Sequence, residues 1–326
     1  MSKIFIISNT NFNISKKLSA KEWIKNMNNY FYDEFLPYLK SNKNDNDILI
    51  HLGNVICKTK NIDLNVLKNI QEIFEEISKI LPIYIIEGEN DKYTSNIFKN
   101  IKNINIIKKP TQIEILLSNK IILLPLESKT EDLYNPIEDN SYCFMNIDYL
   151  NHKNKNELLT YFKKFKKCYN GFYDKNGVNN NVKNLTSPYN IDSDDKRGFI
   201  VLNIFENKDK FIQNKTSPNF RKIKISNEND LKLEYDKKDY IYFNINNKLF
   251  IDNKLKIELL LSEYNTPDVT YYDEDINNTS TDLILDEKSI SLNDMVFDYI
   301  NNSSFENKNK LLEEFKNLIE INKKKS

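Results

Sequence analysis

The sequence predicts an α/β fold built on a parallel sheet covered on both faces, and three observations carry that expectation. Strand-length apolar runs alternate with amphipathic helical stretches through the first 86 residues, in the order β-α-β-α-β. The runs are continuously apolar rather than alternating, which is the pattern of strands buried on both faces. Of only five glycines, Gly53, Gly88 and Gly171 follow such runs, where the chain turns or approaches another backbone closely.

Taken in chain order, residues 3–8 read as a buried first strand. Ser19 and Glu22 have capping-box spacing ahead of a helix whose apolar face is Ile24, Met27, Phe31, Phe35 and Tyr38. Residues 47–52 read as a second strand, 64–80 as a second helix with Leu67, Ile70, Phe74 and Ile77 on one face, and 82–86 as a third strand. Further strands are expected at 112–117, 120–125, 142–146, 182–186 and 198–203, with another near Cys168 and a helix at 155–166. From 207 to 285 short apolar and charged segments alternate, as in a small α/β appendage. The C-terminal stretch carries two helical stripes, Leu292, Met295, Val296 and Tyr299, then Leu311, Leu312, Phe315, Leu318 and Ile319, with Asn301-Asn302-Ser303-Ser304 between them. The expected organisation is a core over 1–206, a capping domain over 207–285 and a helical tail over 286–326.

Composition bounds the function. Lysine and arginine total 47 and are balanced by 47 acidic residues, so lysine-rich stretches point only weakly to nucleic acid. Arg197 and Arg221 are the only arginines and Ala20 the only alanine, while Asn, Ile and Lys dominate. Codons rich in A and T produce that usage, as in an AT-rich phage, virus or reduced genome. Cys57, Cys143 and Cys168 show no metal-type spacing and fit reduced, intracellular thiols. With His51 and His152 the only histidines, a site rich in imidazole ligands is excluded. No apolar run reaches the roughly 20 residues of a membrane span, and the N-terminus reads as a strand rather than a signal peptide. An intracellular, cytoplasmic or virion-associated protein is expected.

Four loops follow strand ends: Ser8-Asn9-Thr10-Asn11, Gly53-Asn54-Val55-Ile56, Gly88-Glu89-Asn90-Asp91-Lys92-Tyr93 and Asn170-Gly171-Phe172-Tyr173-Asp174. Their order and spacing resemble the D-x-H, G-D, G-N-H-D and G-H-x-H series of calcineurin-type metallophosphoesterases. Downstream, Asn181-Val182-Lys183-Asn184-Leu185-Thr186-Ser187-Pro188-Tyr189 and Asp195-Lys196-Arg197-Gly198-Phe199 resemble the N-V-x-Y-I-G-S/T-P … D-x-R-G-F stretch of SbcD-like recombination nucleases, a group that includes small subunits of phage recombination endonucleases. The resemblance covers nearly the whole chain. It implies a four-layer metallophosphoesterase sandwich with a small α/β capping domain and a C-terminal helix–loop–helix.

It also implies a site for two Mn²⁺ ions, and most of that site is altered. The family's first Asp and His match Asn9 and Asn11, and its metal-bridging Asp matches Asn54. The Asn and catalytic His of the third motif match Glu89 and Asn90, while Asp91 is retained. A later His falls on Asn146, and the last two match Phe172 and Asp174. An amide oxygen is a neutral, weaker ligand, and a bridging carboxylate is needed to offset repulsion between two nearby cations. The expectation is therefore a catalytically degenerate SbcD-like subunit. The family's partners would be DNA ends, a second copy in a homodimer and the coiled-coil base of an SbcC-like ATPase, the last taken by the C-terminal stripes. Those stripes suit packing on their own domain equally well. No cofactor is expected, or at most one weakly held Mg²⁺ or Ca²⁺ on the carboxylates of Glu89, Asp91 and Asp174 and the amides of Asn9, Asn54 and Asn146. Two alternatives stay open: an active nuclease or phosphoesterase with a rebuilt metal site, and a structural or virion-associated protein reusing the fold.

Overall fold

The computed structural model describes residues 2–12, 20–56, 62–92, 94–115, 119–126, 128, 141–173, 175–189 and 196–272, together with Lys310, Glu313 and Phe315. The chain divides into two compact units, Met1–Asp273 and Glu274–Ser326. In the second, the three described residues have helical backbone. The stripes at 292–299 and 311–319 lie, Phe315 apart, outside the described residues, as do Ser19, Cys57 and Asp174.

The first half of unit one follows the expected alternation. Strand β1 (Lys3–Ile7) leads to α1 (Ala20–Tyr30), which runs through a π turn at Phe31–Phe35 into α2 (Leu36–Asn42). Then come β2 (Ile48–His51), α3 (Leu64–Ile80), β3 (Ile83–Ile86), the short α4 (Thr94–Phe98) and β4 (Ile104–Ile107). Asp63 caps α3, its carboxylate accepting the Asn65 and Val66 N–H groups at 2.7 and 3.4 Å. The second half is mostly sheet: β5 (Thr111–Ile115), β6 (Asn119–Leu124), β7 (Ser141–Met145), α5 (Lys155–Phe162), β8 (Lys167–Asn170), β9 (Gly177–Asn179), β10 (Val182–Asn184), β11 (Gly198–Asn203) and β12 (Lys208–Gln213).

These strands make two six-stranded sheets, ordered β12-β11-β1-β2-β3-β4 and β5-β6-β7-β8-β10-β9. In the first, β1 to β4 are parallel, with β11 and β12 added antiparallel. In the second, β6, β7, β8 and β10 are parallel between two antiparallel edge strands. Alternation along each strand assigns the layers. Ile4, Ile6, Ile48 and Ile50 face Ile121, Leu123, Tyr142 and Phe144 between the sheets. Phe5, Ile7, Leu49 and Ile83 face Met27, Phe31, Phe35, Ile70 and Phe74 on α1 to α3. Cys143 and Met145 face Leu158 and Phe162 on α5. The result is a four-layer α/β/β/α sandwich, and it explains why the central strands carry apolar residues on both faces: both of their faces are cores.

A third sheet completes the unit. Strands β13 (Phe220–Ile225), β14 (Tyr240–Asn246) and β15 (Asn265–Tyr272) are all parallel, and α6 (Asn247–Asp252) and α7 (Lys254–Glu263) connect the last two. Ile225, Ile241, Phe243 and Ile245 pack there against Ile257 and Leu260. The compositional boundary at 206/207 falls inside a hairpin of the first sheet, because β12 pairs with β11 from Gly198↔Gln213 to Asn203↔Lys208. Asn207, at φ 50°, takes the left-handed turn that closes this hairpin. Strand β12 reads Lys-Asp-Lys-Phe-Ile-Gln, an edge strand whose charges hide it from a search for apolar runs. Strand β4, the opposite edge, lacks the signal of a strand between two cores, because Asn105 breaks its apolar run and only Ile107 is buried. The helix expected to reach 166 stops at Phe162, although Phe165 stays buried. Among the described residues no helix is long and apolar enough to cross a membrane.

Candidate functional site

The carboxyl ends of β1, β2, β3, β7 and β8 converge at one edge of the sandwich, and the predicted loops leave from them. The loops after β1 and β2 continue their parallel pairing beyond the strands. Asn9 N–H donates to Gly53 O at 3.0 Å, Asn11 N–H to Asn54 O at 3.0 Å and Phe12 N–H to Val55 O at 2.8 Å. Asn9, Asn11 and Asn54 hold φ values of 48°, 45° and 56°, a left-handed conformation that Asn tolerates better than other non-glycine residues. The glycines let the loops touch. A Cβ on Gly53 would stand 2.6 Å from Asn146 Nδ2, and one on Gly88 would stand 2.7 Å from Asn54 Oδ1. One on Gly171 would collide with Ser8 Oγ and Leu52 O.

Within this cage the amides bond to their surroundings. Asn54 Nδ2 donates to Asn9 Oδ1 at 2.8 Å, directly joining the positions matched to the family's first and bridging carboxylates. Asn9 Nδ2 donates to Leu185 O at 3.3 Å, and Asn11 Nδ2 to Asn9 O at 3.1 Å. Asn146 is fully buried and donates to Leu52 O at 2.6 Å. The side-chain oxygens of Asn54, Asn90 and Asn146 are shielded from solvent and accept no hydrogen bond.

Asp91 is wholly buried and acts as the knot between the β2 and β3 loops. Its Oδ2 accepts the Asn54 and Gly88 N–H groups at 2.6 and 2.9 Å. Its Oδ1 accepts the Val55 N–H at 2.8 Å and the Thr94 hydroxyl at 3.3 Å. Burial holds its carboxyl above the usual range, although backbone donors from Gly88, Asn54, Val55 and Ile56 pull the other way. Both oxygens are occupied by protein donors.

Sequence reasoning missed three residues here. His51 closes β2, fully buried. Its Nδ1 accepts the Gly53 N–H at 3.1 Å, which leaves Nε2–H to donate to Thr10 Oγ1 at 3.0 Å. The Thr10 hydroxyl donates onward to Val55 O at 3.1 Å. Burial lowers the His51 pKa from 6.5 to about 3, so the ring is neutral. The Tyr189 hydroxyl donates to Thr10 O. Asn170 straps β8 to the β7 loop, accepting the Ile147 N–H at 3.0 Å and donating to Ile147 O at 3.1 Å. The available signal was position: each sits beside a motif glycine or inside a motif already singled out.

The structure thus brings Asn9, Asn11, Asn54, Asp91 and Asn146 together. Glu89 is exposed, and the half-buried Phe172 ring packs edge-on against Tyr173 at 5.2 Å, with no donor atom to offer. The described residues do not fit a two-metal set. Asn9 Oδ1 is taken by Asn54 and both Asp91 oxygens by N–H and O–H donors. Among the described residues no three His, Cys, Asp or Glu side chains cluster in a way that could hold a metal ion.

No protein-family profile matches the sequence, and no curated protein matches it. Among solved structures, the chain is similar to a protein of unknown function from Aquifex aeolicus. The identity is 18%, covering 57% of this chain and 90% of that one, with a TM-score of 0.31. It is also similar to a 5′-nucleotidase precursor from Thermus thermophilus, at 6% identity over 65% of this chain and 54% of that one, with a TM-score of 0.36. At these scores neither likeness bears on function. The class defined by the coordinates is a four-layer α/β/β/α sandwich with an amide-lined loop site at the carboxyl ends of its strands.

Proposed function

We propose that this chain is a metallophosphoesterase-fold subunit of SbcD-like type that has lost two-metal hydrolysis and acts by binding. Its partners in this reading are DNA ends and an SbcC-like coiled-coil ATPase, with phage or viral recombination and repair as the setting. The observation that supports the loss of chemistry is the 2.8 Å bond between Asn54 Nδ2 and Asn9 Oδ1. Where the resemblance calls for two carboxylates around cations, this chain has two amides joined by one hydrogen bond. Gly53, Gly88 and Gly171 let the loops touch one another, which suits a binding role on an inherited frame.

The test is turnover of a linear duplex and of a chromogenic phosphodiester with Mn²⁺. Neither should be cleaved above background. Metal-dependent turnover lost in Asp174→Ala would overturn the reading and favour a rebuilt metal site. The binding half is tested separately, by gel shift of end-labelled duplex and by co-purification with the ATPase, with and without residues 292–326. A chain that binds neither would sink that half.

A further inference from the structure

Four polar atoms at the loop site are shielded from solvent and have no hydrogen-bond partner among the described residues: the side-chain oxygens of Asn54, Asn90 and Asn146 and the Ser8 hydroxyl. Buried polar atoms are rarely left so, because an unmade bond there is costly. Three of the four are amide oxygens, which can only accept. They belong to one contact between loops. The Asn146 amide passes over Gly53, where a Cβ would stand 2.6 Å from its Nδ2 and 3.1 Å from its Cγ. Asn54 follows Gly53 in the chain and sets its Oδ1 against Gly88, 2.7 Å from where a Cβ would stand. Asn90 lies on the turn that the Asp91 N–H closes by donating to Gly88 O at 3.2 Å. The nitrogens of Asn54 and Asn146 are committed to Asn9 Oδ1 and Leu52 O at 2.8 and 2.6 Å, so neither amide can be turned round without losing a bond.

We propose that these amide oxygens receive one monovalent cation, potassium by preference, in place of the two divalent ions of the resembling family. The donor set is made of neutral oxygens. Such oxygens suit a hard cation, and carbonyl-type oxygens can replace the hydration shell of potassium. They bring no charge to offset the far larger cost of stripping water from a divalent ion. The charge behind them is also single. Asp91 is the buried carboxylate of this contact, and its Oδ2 stands 3.1 Å from the same Gly88 Cβ position that Asn54 Oδ1 flanks. That oxygen accepts the Asn54 and Gly88 N–H groups, so it does not ligate. It stands behind the amides as one negative charge, the counterpart of one positive charge. A water molecule in the same place has two hydrogens to offer three acceptors, whereas a bare cation has no such limit. The inference rests on the reading that two-metal chemistry is lost, and it names the guest that the amide cage takes instead.

Thermal melting of the full chain in potassium chloride, against choline chloride at equal ionic strength, tests it. A saturable, potassium-specific rise in Tm is expected, about 2 °C at ten times the dissociation constant. Asn90→Leu removes an oxygen that has no protein partner. It should abolish most of that rise while leaving the Tm in choline chloride no lower than the parent's. Asn146→Asp adds a negative charge and should move the response from potassium to Mg²⁺ or Ca²⁺. Equal melting of the parent in the two salts overturns the proposal and leaves the oxygens to water. So does a potassium rise that both substitutions leave unchanged. Turnover with Mn²⁺ would overturn the underlying reading instead, and it is scored in a separate assay, so the two failures are told apart.

Discussion

His51 should make this fold acid-labile, and the size of the effect follows from its setting. The ring is fully buried and neutral, accepting from Gly53 and donating to Thr10, and its pKa falls from 6.5 to about 3. In the unfolded chain it titrates normally. Below pH 6.5 the unfolded state therefore binds a proton that the folded state refuses. The contribution is fully present above 6.5 and is lost as pH falls toward 3. Each pH unit in that window costs about 1.4 kcal/mol, so moving from 6.5 to 4.5 removes about 3 kcal/mol from this group alone. For a chain of this length that is a fall in Tm of about 4 °C. The matched variant is His51→Asn, which keeps an acceptor near the Nδ1 position and cannot titrate. It should be less stable than the parent at pH 7, and the gap should shrink by about 3 kcal/mol at pH 4.5 as the parent loses ground. Urea denaturation of both proteins at the two pH values reads the difference directly. Parallel losses in parent and variant would refute the argument, because they would show that the ring protonates in place or that other groups set the acid limb.

Three further outcomes are expected. Asp91→Ala strands the buried N–H groups of Asn54, Val55 and Gly88 and should cost about 3 kcal/mol, read as a lower Tm. Asp91→Asn, which keeps one acceptor oxygen, should cost less, and equal losses in the two variants would mean that the carboxylate does not organise the loops. Asp209 bridges the two sheets, its oxygens 2.5 and 2.8 Å from Lys167 and Lys183. Burial alone would raise its pKa, but the two lysine hydrogen bonds lower it overall. Its stabilisation is thus present above the normal value of 3.8 and lost as pH falls further. Asp209→Asn should cost about 1 kcal/mol at neutral pH given the partly exposed lysines, and that cost should vanish near pH 3, where a persistent gap would count against the bridge. Finally, millimolar Mg²⁺ or Ca²⁺ should leave the Tm unchanged, whereas a rise that disappears in Glu89→Gln would assign one weak ion to the amide cage.

How much of this was legible in the sequence depended on how each element is buried. Strands β1, β2 and β3 could be read because they lie between two cores and carry apolar residues on both faces. Strand β12 could not, since as an edge it carries lysine and aspartate, and its membership of the first sheet follows from a hairpin turned by Asn207. The loop positions Asn9, Asn54, Asp91 and Asn146 were legible as a set because glycines mark the places where loops touch. Their bonding was not. Asp91 is counted as a candidate ligand from its residue type, yet its lone pairs are spent on backbone N–H groups, a fact about geometry that no spacing reveals. His51 went unread for the opposite reason. One histidine at the end of an apolar strand looks like packing, and only its hydrogen-bond partners show that it props the Gly53 turn.

The asparagines at the loop site admit two explanations, and one contact bears on the choice between them. Every described non-glycine residue with positive φ is Asn: 9, 11 and 54 at the site, and 103, 180 and 207 elsewhere. Asn103, Asn180 and Asn207 lie in turns away from the loop site, so a coding bias toward Asn together with tolerance of the left-handed region accounts for a residue of that type at such bends. It does not account for the hydrogen bond between Asn54 Nδ2 and Asn9 Oδ1, because a left-handed bend constrains the backbone and leaves the side chain free. That contact has an electrostatic reason. Two carboxylates at the same separation would repel unless a cation or a shared proton lay between them. An amide pair presents a donor to an acceptor and needs neither. Asn at these positions keeps the bends and carries no charge that a cation or a shared proton would have to offset. One amide hydrogen bond thus joins the β1 and β2 loops without a counter-ion.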